Sequence, residues 1–145
     1  MVSYKFSLEK VLEWRAEIEK RIAKSFAIVQ NELNYQEITL NNLRLENESI
    51  KKKILELNNI NDLKQQYLFK QSVEQKIKEI LKLIEQTKTK LEKLRLDLLE
   101  AQKNRKIMEK LKEKDYIEYK ENLMLEEQKE LDEIAVFRYG AAGEM

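Results

Sequence analysis

The chain has 145 residues, with no proline, histidine or cysteine, and its only two glycines are Gly140 and Gly143. Proline breaks helices and glycine weakens them by about 1 kcal/mol relative to alanine, so avoiding both up to residue 139 favours long helices. The 28 basic and 27 acidic residues nearly cancel, which argues against a nucleic-acid partner. Without histidine and cysteine, the commonest catalytic bases, thiol nucleophiles and zinc ligands are missing. We therefore expect no enzymatic activity, cofactor, bound metal or small-molecule substrate.

Hydropathy predicts a cytoplasmic protein. A membrane-spanning helix needs about 18 consecutive apolar residues, and the sequence contains no such run. The first ten residues, "MVSYKFSLEK", also lack the apolar core of a signal peptide.

The first predicted element is a helix over about residues 7–57. Ser7 is an expected N-cap, and Glu9 suits the positive end of the helix dipole. Apolar residues then recur every three or four positions, which is the pattern of a coiled-coil seam. The predicted seam is Leu8, Val11, Arg15, Ile18, Ile22, Phe26, Val29, Leu33, Gln36, Leu40, Leu43, Asn47, Ile50, Ile54 and Leu57.

A turn is predicted at "NNIND", about residues 58–62. Asparagine and aspartate compete with helical hydrogen bonds through their own side chains, so they favour turns and caps. Asp62 is the expected cap of the second helix. The alternative is one unbroken helix that forms a dimer, but a short turn between two seams favours an antiparallel hairpin. A hairpin of this kind is expected to be a monomer.

The second predicted helix covers about residues 63–139 and carries its own seam. With a turn near residue 60, each residue i of the first helix should lie opposite residue 120 − i of the second. Gln36 and Asn47 are polar seam positions, and we interpret them as residues that fix the register of the pair. The predicted seam is Val73, Ile77, Ile80, Ile84, Thr87, Leu91, Leu94, Leu98, Ala101, Arg105 and Met108.

The two helices have unequal lengths, which predicts an overhang over residues 114–139. Residues 103–114 carry six basic and two acidic groups, and residues 115–133 carry two basic and eight acidic groups. These two bands are interpreted either as a solvated helix face or as surfaces that bind rings of charged residues on a partner. A lone helix of this length is marginal in water, so either it frays in isolation or another molecule holds it.

The C-terminal segment contains "RKIMEKLKEK" and "YKENLMLEEQKELDEIAVFRY", and the N-terminal segment is "YKFSLEKVLEWRAEIEKRIAKSFA". These two segments resemble the flagellar export protein FliJ family. A weaker similarity surrounds Tyr67 and Phe69. The matching residues are Phe6, Leu8, Val11, Leu12, Arg15, Glu19 and Ala23, followed by Arg105, Lys106, Leu111, Gln128, Lys129, Leu131, Asp132, Glu133, Ala135 and Arg138.

The resemblance implies an antiparallel two-helix coiled coil similar to the γ stalk of rotary ATPases. It implies as partners a hexameric export ATPase, whose pore receives the helical ends, a membrane export gate and export chaperones. It also implies a location at the cytoplasmic face of the membrane at the flagellar base. The residues expected to contact the ATPase ring are Phe6, Leu8, Arg15, Arg105, Lys106, Leu111, Gln128, Lys129, Leu131, Asp132, Glu133 and Arg138.

Tyr67, Leu68 and Phe69 are candidates for contact with the export gate, because they form an apolar group beside the turn. The alternative is that they pack across the hairpin against Ile54, Leu55 and Leu57. Three other functions remain open for the chain as a whole. These are the stalk of a virulence-type secretion system or of another rotary ATPase, a structural coiled coil that dimerises, and a chaperone that binds export substrates.

Overall fold

The computed structural model describes residues 3–143, and the side chains of residues 3–140. It contains two helices, α1 (Glu9–Glu56, 48 residues) and α2 (Ile60–Gly143, 84 residues), and no strand among the described residues. The predicted all-α hairpin with two arms of unequal length is confirmed. Its contacts group into two units: the hairpin unit, Lys20–Glu100, and the terminal unit, Met1–Glu19 with Ala101–Met145.

Helix α1 begins two residues later than predicted. The amide of Glu9 donates to the carbonyl of Phe6 at 3.1 Å, which closes a turn before the helix. The first helical bond runs from the amide of Leu12 to the carbonyl of Leu8 at 3.0 Å. Leu8 therefore occupies the N-cap position that was predicted for Ser7, because the turn at residues 6–9 delays the first helical hydrogen bond.

Helix α2 begins at Ile60, where about residue 63 was predicted, and continues to Gly143 where about 139 was predicted. Asn59 caps it: its side-chain oxygen accepts from the amide of Asn61 at 3.0 Å, and its carbonyl accepts from the amide of Leu63 at 3.0 Å. Asparagine is as good an N-cap as aspartate. The prediction of Asp62 as the cap was wrong, and Asp62 instead lies in the first turn, where the helix dipole favours it.

The hairpin unit is held by the predicted seam. Every seam position predicted between residues 20 and 100 is buried or half-buried, and Val73 is only 1% exposed. The residues between seam positions are mostly exposed, as expected for two helices that share one narrow stripe. The buried members, each at most 9% exposed, are Val29, Gln36, Leu40, Ile50, Val73, Ile84 and Thr87.

Three polar side chains lie in this seam. The hydroxyl of Thr87 donates to the carbonyl of Leu83 at 2.9 Å, so its burial is compensated within α2. Among the described residues, the side-chain oxygens of Gln36 and Asn47 are buried without a hydrogen-bond partner. An unpaired buried carbonyl costs about 1–3 kcal/mol, which fits the interpretation that these residues set register at the expense of stability.

In the terminal unit, the seam continues through Ala101 and Met108, both buried. At the start of the chain, Phe6 is buried, whereas the predicted seam residues Leu8 and Val11 are exposed. Beyond Tyr119, every described side chain up to residue 140 is exposed. The overhang therefore begins near residue 120, where 114 was predicted, because the segment before α1 covers the intervening residues.

Candidate partner-binding site

The segment before α1, residues 3–8, lies on α2 and is called the strap. Burial alternates along its first five residues: Tyr4 is half-buried and Phe6 buried, whereas residues 3, 5 and 7 are exposed. This period of two is typical of extended chain. The Tyr4 ring lies 5.0 Å from the ring of Tyr116, edge to face, and 5.2 Å from that of Tyr119.

The Tyr4 hydroxyl donates to the Asp115 carboxylate (Oδ2) at 3.0 Å, and the carbonyl of Lys112 lies 3.4 Å from the same hydroxyl. Desolvation, followed by the hydrogen bond to Asp115 and the negative charges of Asp115 and Glu9, raises the pKa of Tyr4 to about 12. The phenol is thus held in its neutral, donating form.

Ion pairs join α2 to α1 within the terminal unit. Lys112 Nζ lies 2.8 Å from Glu9 Oε2, one position from the predicted register, which placed residue 111 opposite Glu9. Arg105 contacts the carboxylate of Glu19 and also lies 2.7 Å from Glu109. The hydrogen bond to Glu19 and then that to Glu109 raise the pKa of Arg105. Arg105, a predicted ring contact, is therefore engaged inside the fold.

Beyond the strap, residues 120–140 form an exposed part of α2, called the tail. It contains eight large apolar side chains that contribute nothing to the core, of which Phe137 is 77% exposed. Within the tail, the Gln128 side-chain amide donates to the Asp132 carboxylate one turn away at 3.3 Å. The apolar residues are Leu123, Met124, Leu125, Leu131, Ile134, Val136, Phe137 and Tyr139.

The structure divides the predicted ring-contact residues into two groups. The first group lies where the two chain segments pack together or beside that packing, and consists of Phe6, Leu8, Arg15, Arg105, Lys106 and Leu111. The second group lies on the tail, where all members are exposed, and consists of Gln128, Lys129, Leu131, Asp132, Glu133 and Arg138. The two groups belong to the same unit but form no single cluster, and the tail is the part in which every predicted contact residue is exposed.

Sequence reasoning missed the residues that join the strap to α2. Asp115 and Tyr119 continue the three- and four-residue spacing of the α2 seam beyond Met108, so extending that seam could have found them. Tyr4 and Tyr116 lie outside this spacing, and Tyr4 is 111 residues from Asp115 along the chain. Trp14 was also missed. It lies beside the seam residue Arg15, is exposed, and stacks near the Arg15 guanidinium at 5.2 Å.

The gate candidates lie in the hairpin unit, near the start of α2. Tyr67, Leu68 and Phe69 are 52%, 67% and 47% exposed, so none of them is buried by packing across the hairpin. Leu55, one of the proposed packing partners, is also exposed. Each of the three gate candidates is therefore accessible, and Lys70 Nζ lies 5.8 Å from the centre of the Tyr67 ring.

Within the described chain, no helix is apolar enough over the necessary length to cross a membrane. Among the same residues, no group of three or more acidic side chains is arranged to hold a metal ion.

Comparison with known proteins gives one match. A family model with the description "Flagellar FliJ protein" matches residues 4–144. The match therefore includes Tyr4 of the strap, both helices and the tail. No match was found among curated proteins or among solved structures.

Proposed function

Because the chain belongs to the FliJ family and is therefore a component of the flagellar export apparatus, we propose that it is the stalk of the hexameric export ATPase. Its tail enters the central pore of the ring and promotes the assembly and activity of the ATPase. The observation that carries this proposal is that every described side chain from residue 120 to 140 is exposed although α2 continues without a break.

The thickness of the tail supports insertion into a pore. A single helix with its side chains is about 10–12 Å wide, whereas two packed helices add a further 8–10 Å between their axes. The described tail is roughly 30 Å long at 1.5 Å per residue. It is therefore the narrowest long element that the chain can offer to a central channel.

The chemistry of the tail supports a protein surface as its surroundings. Lys129, Glu133 and Arg138 present charges of both signs, and Leu131 lies exposed between them. Charges at an interface mainly speed encounter and fix orientation. Exposed apolar side chains supply affinity when a partner buries them, at about 25 cal/mol per Å² of apolar surface before the costs of association.

Promotion of ring assembly follows from mass action. A stalk that binds the assembled ring and not the separate subunits shifts the equilibrium toward the ring. At about 100 times its dissociation constant, such a ligand stabilises the state that it binds by about 2.7 kcal/mol. The chain needs no catalytic group for this role.

Deletion of residues 120–145 tests the proposal. Because the described tail contributes nothing to the core, the truncated chain should unfold at the same urea concentration as the full chain. It should no longer stimulate ATP hydrolysis by the purified export ATPase. Lys129→Glu should weaken stimulation, whereas Lys52→Glu, an exposed lysine of the hairpin unit, serves as the matched control. Undiminished stimulation by the truncated chain would refute the proposal.

We also propose that Tyr67, Leu68 and Phe69 contact the membrane export gate, so that the stalk links the ring to the gate at the cytoplasmic face of the membrane. Their shared exposure near the turn supports this role. Phe69→Ala should weaken binding to the soluble domain of the gate protein in a titration. Leu55→Ala is the control, since Leu55 is equally apolar, 86% exposed and near the same turn. Equal binding by both variants would exclude these residues as the contact.

Export chaperones are proposed as further partners through the same association with the apparatus. Co-sedimentation of purified chaperones with the full chain tests this, and the absence of any complex would remove them from the set of partners.

A further inference from the structure

The strap ends where the tail begins. Tyr4 contacts Tyr116 and Tyr119, and from residue 120 onward the described helix is exposed on all sides. Within the terminal unit, the protein therefore changes at this level from a helix covered by a second chain segment to a bare helix. An added layer of chain widens the cross-section by several ångström relative to a single helix.

The strap also lies where the charge of α2 changes sign. Residues 103–114 carry a net charge of +4, and residues 115–133 carry −6. The contacts of the strap fall on both sides of this boundary, since Glu9 at the start of α1 pairs with Lys112 and Tyr4 binds Asp115. The same contacts thus mark the change in width and the change in charge.

We propose that Tyr4 is a positioning residue, and that the strap sets how deeply α2 enters the ATPase ring. This inference rests on the proposed insertion of the tail. The strap acts as a collar: the bare helix from residue 120 onward enters the narrow part of the pore, and the covered residues 112–119 stay at its mouth. The collar thereby places the acidic residues from Glu121 onward inside the ring and keeps the basic band, residues 103–114, outside it.

Loss of the strap would change both the width of the terminal unit over residues 112–119 and the position of the charged bands relative to the ring. Residues 112–119 would become bare helix, and the pore could admit up to about 12 Å more of α2 at 1.5 Å per residue. A shift of this size moves the charged bands by roughly two helical turns relative to charged groups on the ring. The ring would still bind the chain, but with the wrong part of α2 in its narrowest section.

Cysteine labelling can locate the boundary of insertion, because the chain has no cysteine of its own. Single cysteines are introduced by Lys114→Cys and Glu121→Cys, two exposed positions below and above the boundary. Maleimide labelling of each is measured with and without the assembled ATPase ring. In the otherwise unchanged chain, the ring should protect the cysteine at position 121 and leave that at position 114 reactive.

The decisive variant is Tyr4→Ala, combined with each cysteine. Protection should extend to position 114, whereas Tyr4→Phe, which keeps the ring contacts, should retain the original boundary. Faster hydrogen exchange over residues 112–119 shows that the strap has been released. If Tyr4→Ala does not release it, deletion of residues 1–5 replaces that variant in the same experiment.

The outcomes separate the two proposals. Protection at position 121 with an unchanged boundary after release of the strap overturns the collar and leaves insertion of the tail intact. Protection of position 114 in the unaltered chain also overturns the collar. No protection at either position in any variant overturns insertion itself, and the collar with it.

Discussion

Two stretches of one helix contrast within α2. In residues 60–100, inward-facing side chains recur every three or four positions and bury a continuous seam, whereas in residues 120–140 every described side chain is exposed. Both stretches mix charged and large apolar residues. Folding therefore explains the apolar seam residues of the first stretch, whereas it explains none of the described apolar residues of the second. A helical segment without tertiary packing is only marginally stable in water, so the tail points to an intermolecular role.

The largest expected effect tests the seam. Ile50→Ala removes a side chain that is 3% exposed and should lower the free energy of unfolding by about 2–3 kcal/mol. Ile38→Ala makes the same change in the same helix at a side chain that is 60% exposed. It should alter the free energy of unfolding by less than about 0.5 kcal/mol. Urea unfolding followed by circular dichroism measures both, and equal effects would contradict the assignment of the seam.

The polar seam residues should behave in the opposite way. Gln36→Leu removes a buried oxygen without a hydrogen-bond partner and should raise the free energy of unfolding by about 1 kcal/mol. The register should become less specific, so analytical ultracentrifugation should detect associated species in place of the expected monomer. A destabilised variant that remains a monomer would show that Gln36 makes a favourable contact.

A smaller effect is expected from the ion pairs. Arg105→Gln breaks contacts with Glu19 and Glu109 and should lower the urea midpoint, because Arg105 joins two segments that are distant in sequence. Arg95→Gln breaks an exposed pair with Glu92 one turn away and should change it less. The reverse order would mean that the contact with Glu19 adds nothing to the terminal unit.

The smallest expected effect is a loss of stability at alkaline pH when Tyr4 of the strap ionises. The pKa of Tyr4 is raised from 10.0 to about 12, so the folded state holds this proton more tightly than the unfolded state. The contribution of the protonated Tyr4 hydroxyl to the free energy of unfolding is complete below pH 10 and is lost as the pH rises toward 12. Tyr4→Phe should lack this loss in urea unfolding across that range. Identical pH profiles for the two proteins would contradict the desolvated, hydrogen-bonded phenol.

The seam could be predicted from sequence because heptad spacing is local: the positions from Val73 to Met108 follow from the alternation of three and four residues. The strap could not. Tyr4 lies in a short alternating segment outside the heptad spacing, and nothing local indicates its partners, which lie more than 100 residues away along the chain. The overhang was therefore predicted from residue 114, because only helical pairing was counted.

The helix ends were less predictable than the helices. Asn59 and Asp62 are both suitable caps, and sequence alone does not rank two such residues three positions apart. Of the candidate site, the tail residues were predicted through family resemblance. Periodicity alone showed only that the tail has no partner helix within the chain. Heptad spacing reports packing between helices of the hairpin, so it does not identify residues that contact another protein.

The measurement that tests the central claim most directly is hydrogen exchange over residues 120–140, with and without the assembled export ATPase. In the free chain, these amides should exchange much faster than those of the seam around Val73, because no packing protects them. Addition of the ring should slow them markedly and leave the seam unchanged. Unaltered exchange of the tail in the presence of a ring that binds the chain would contradict the account.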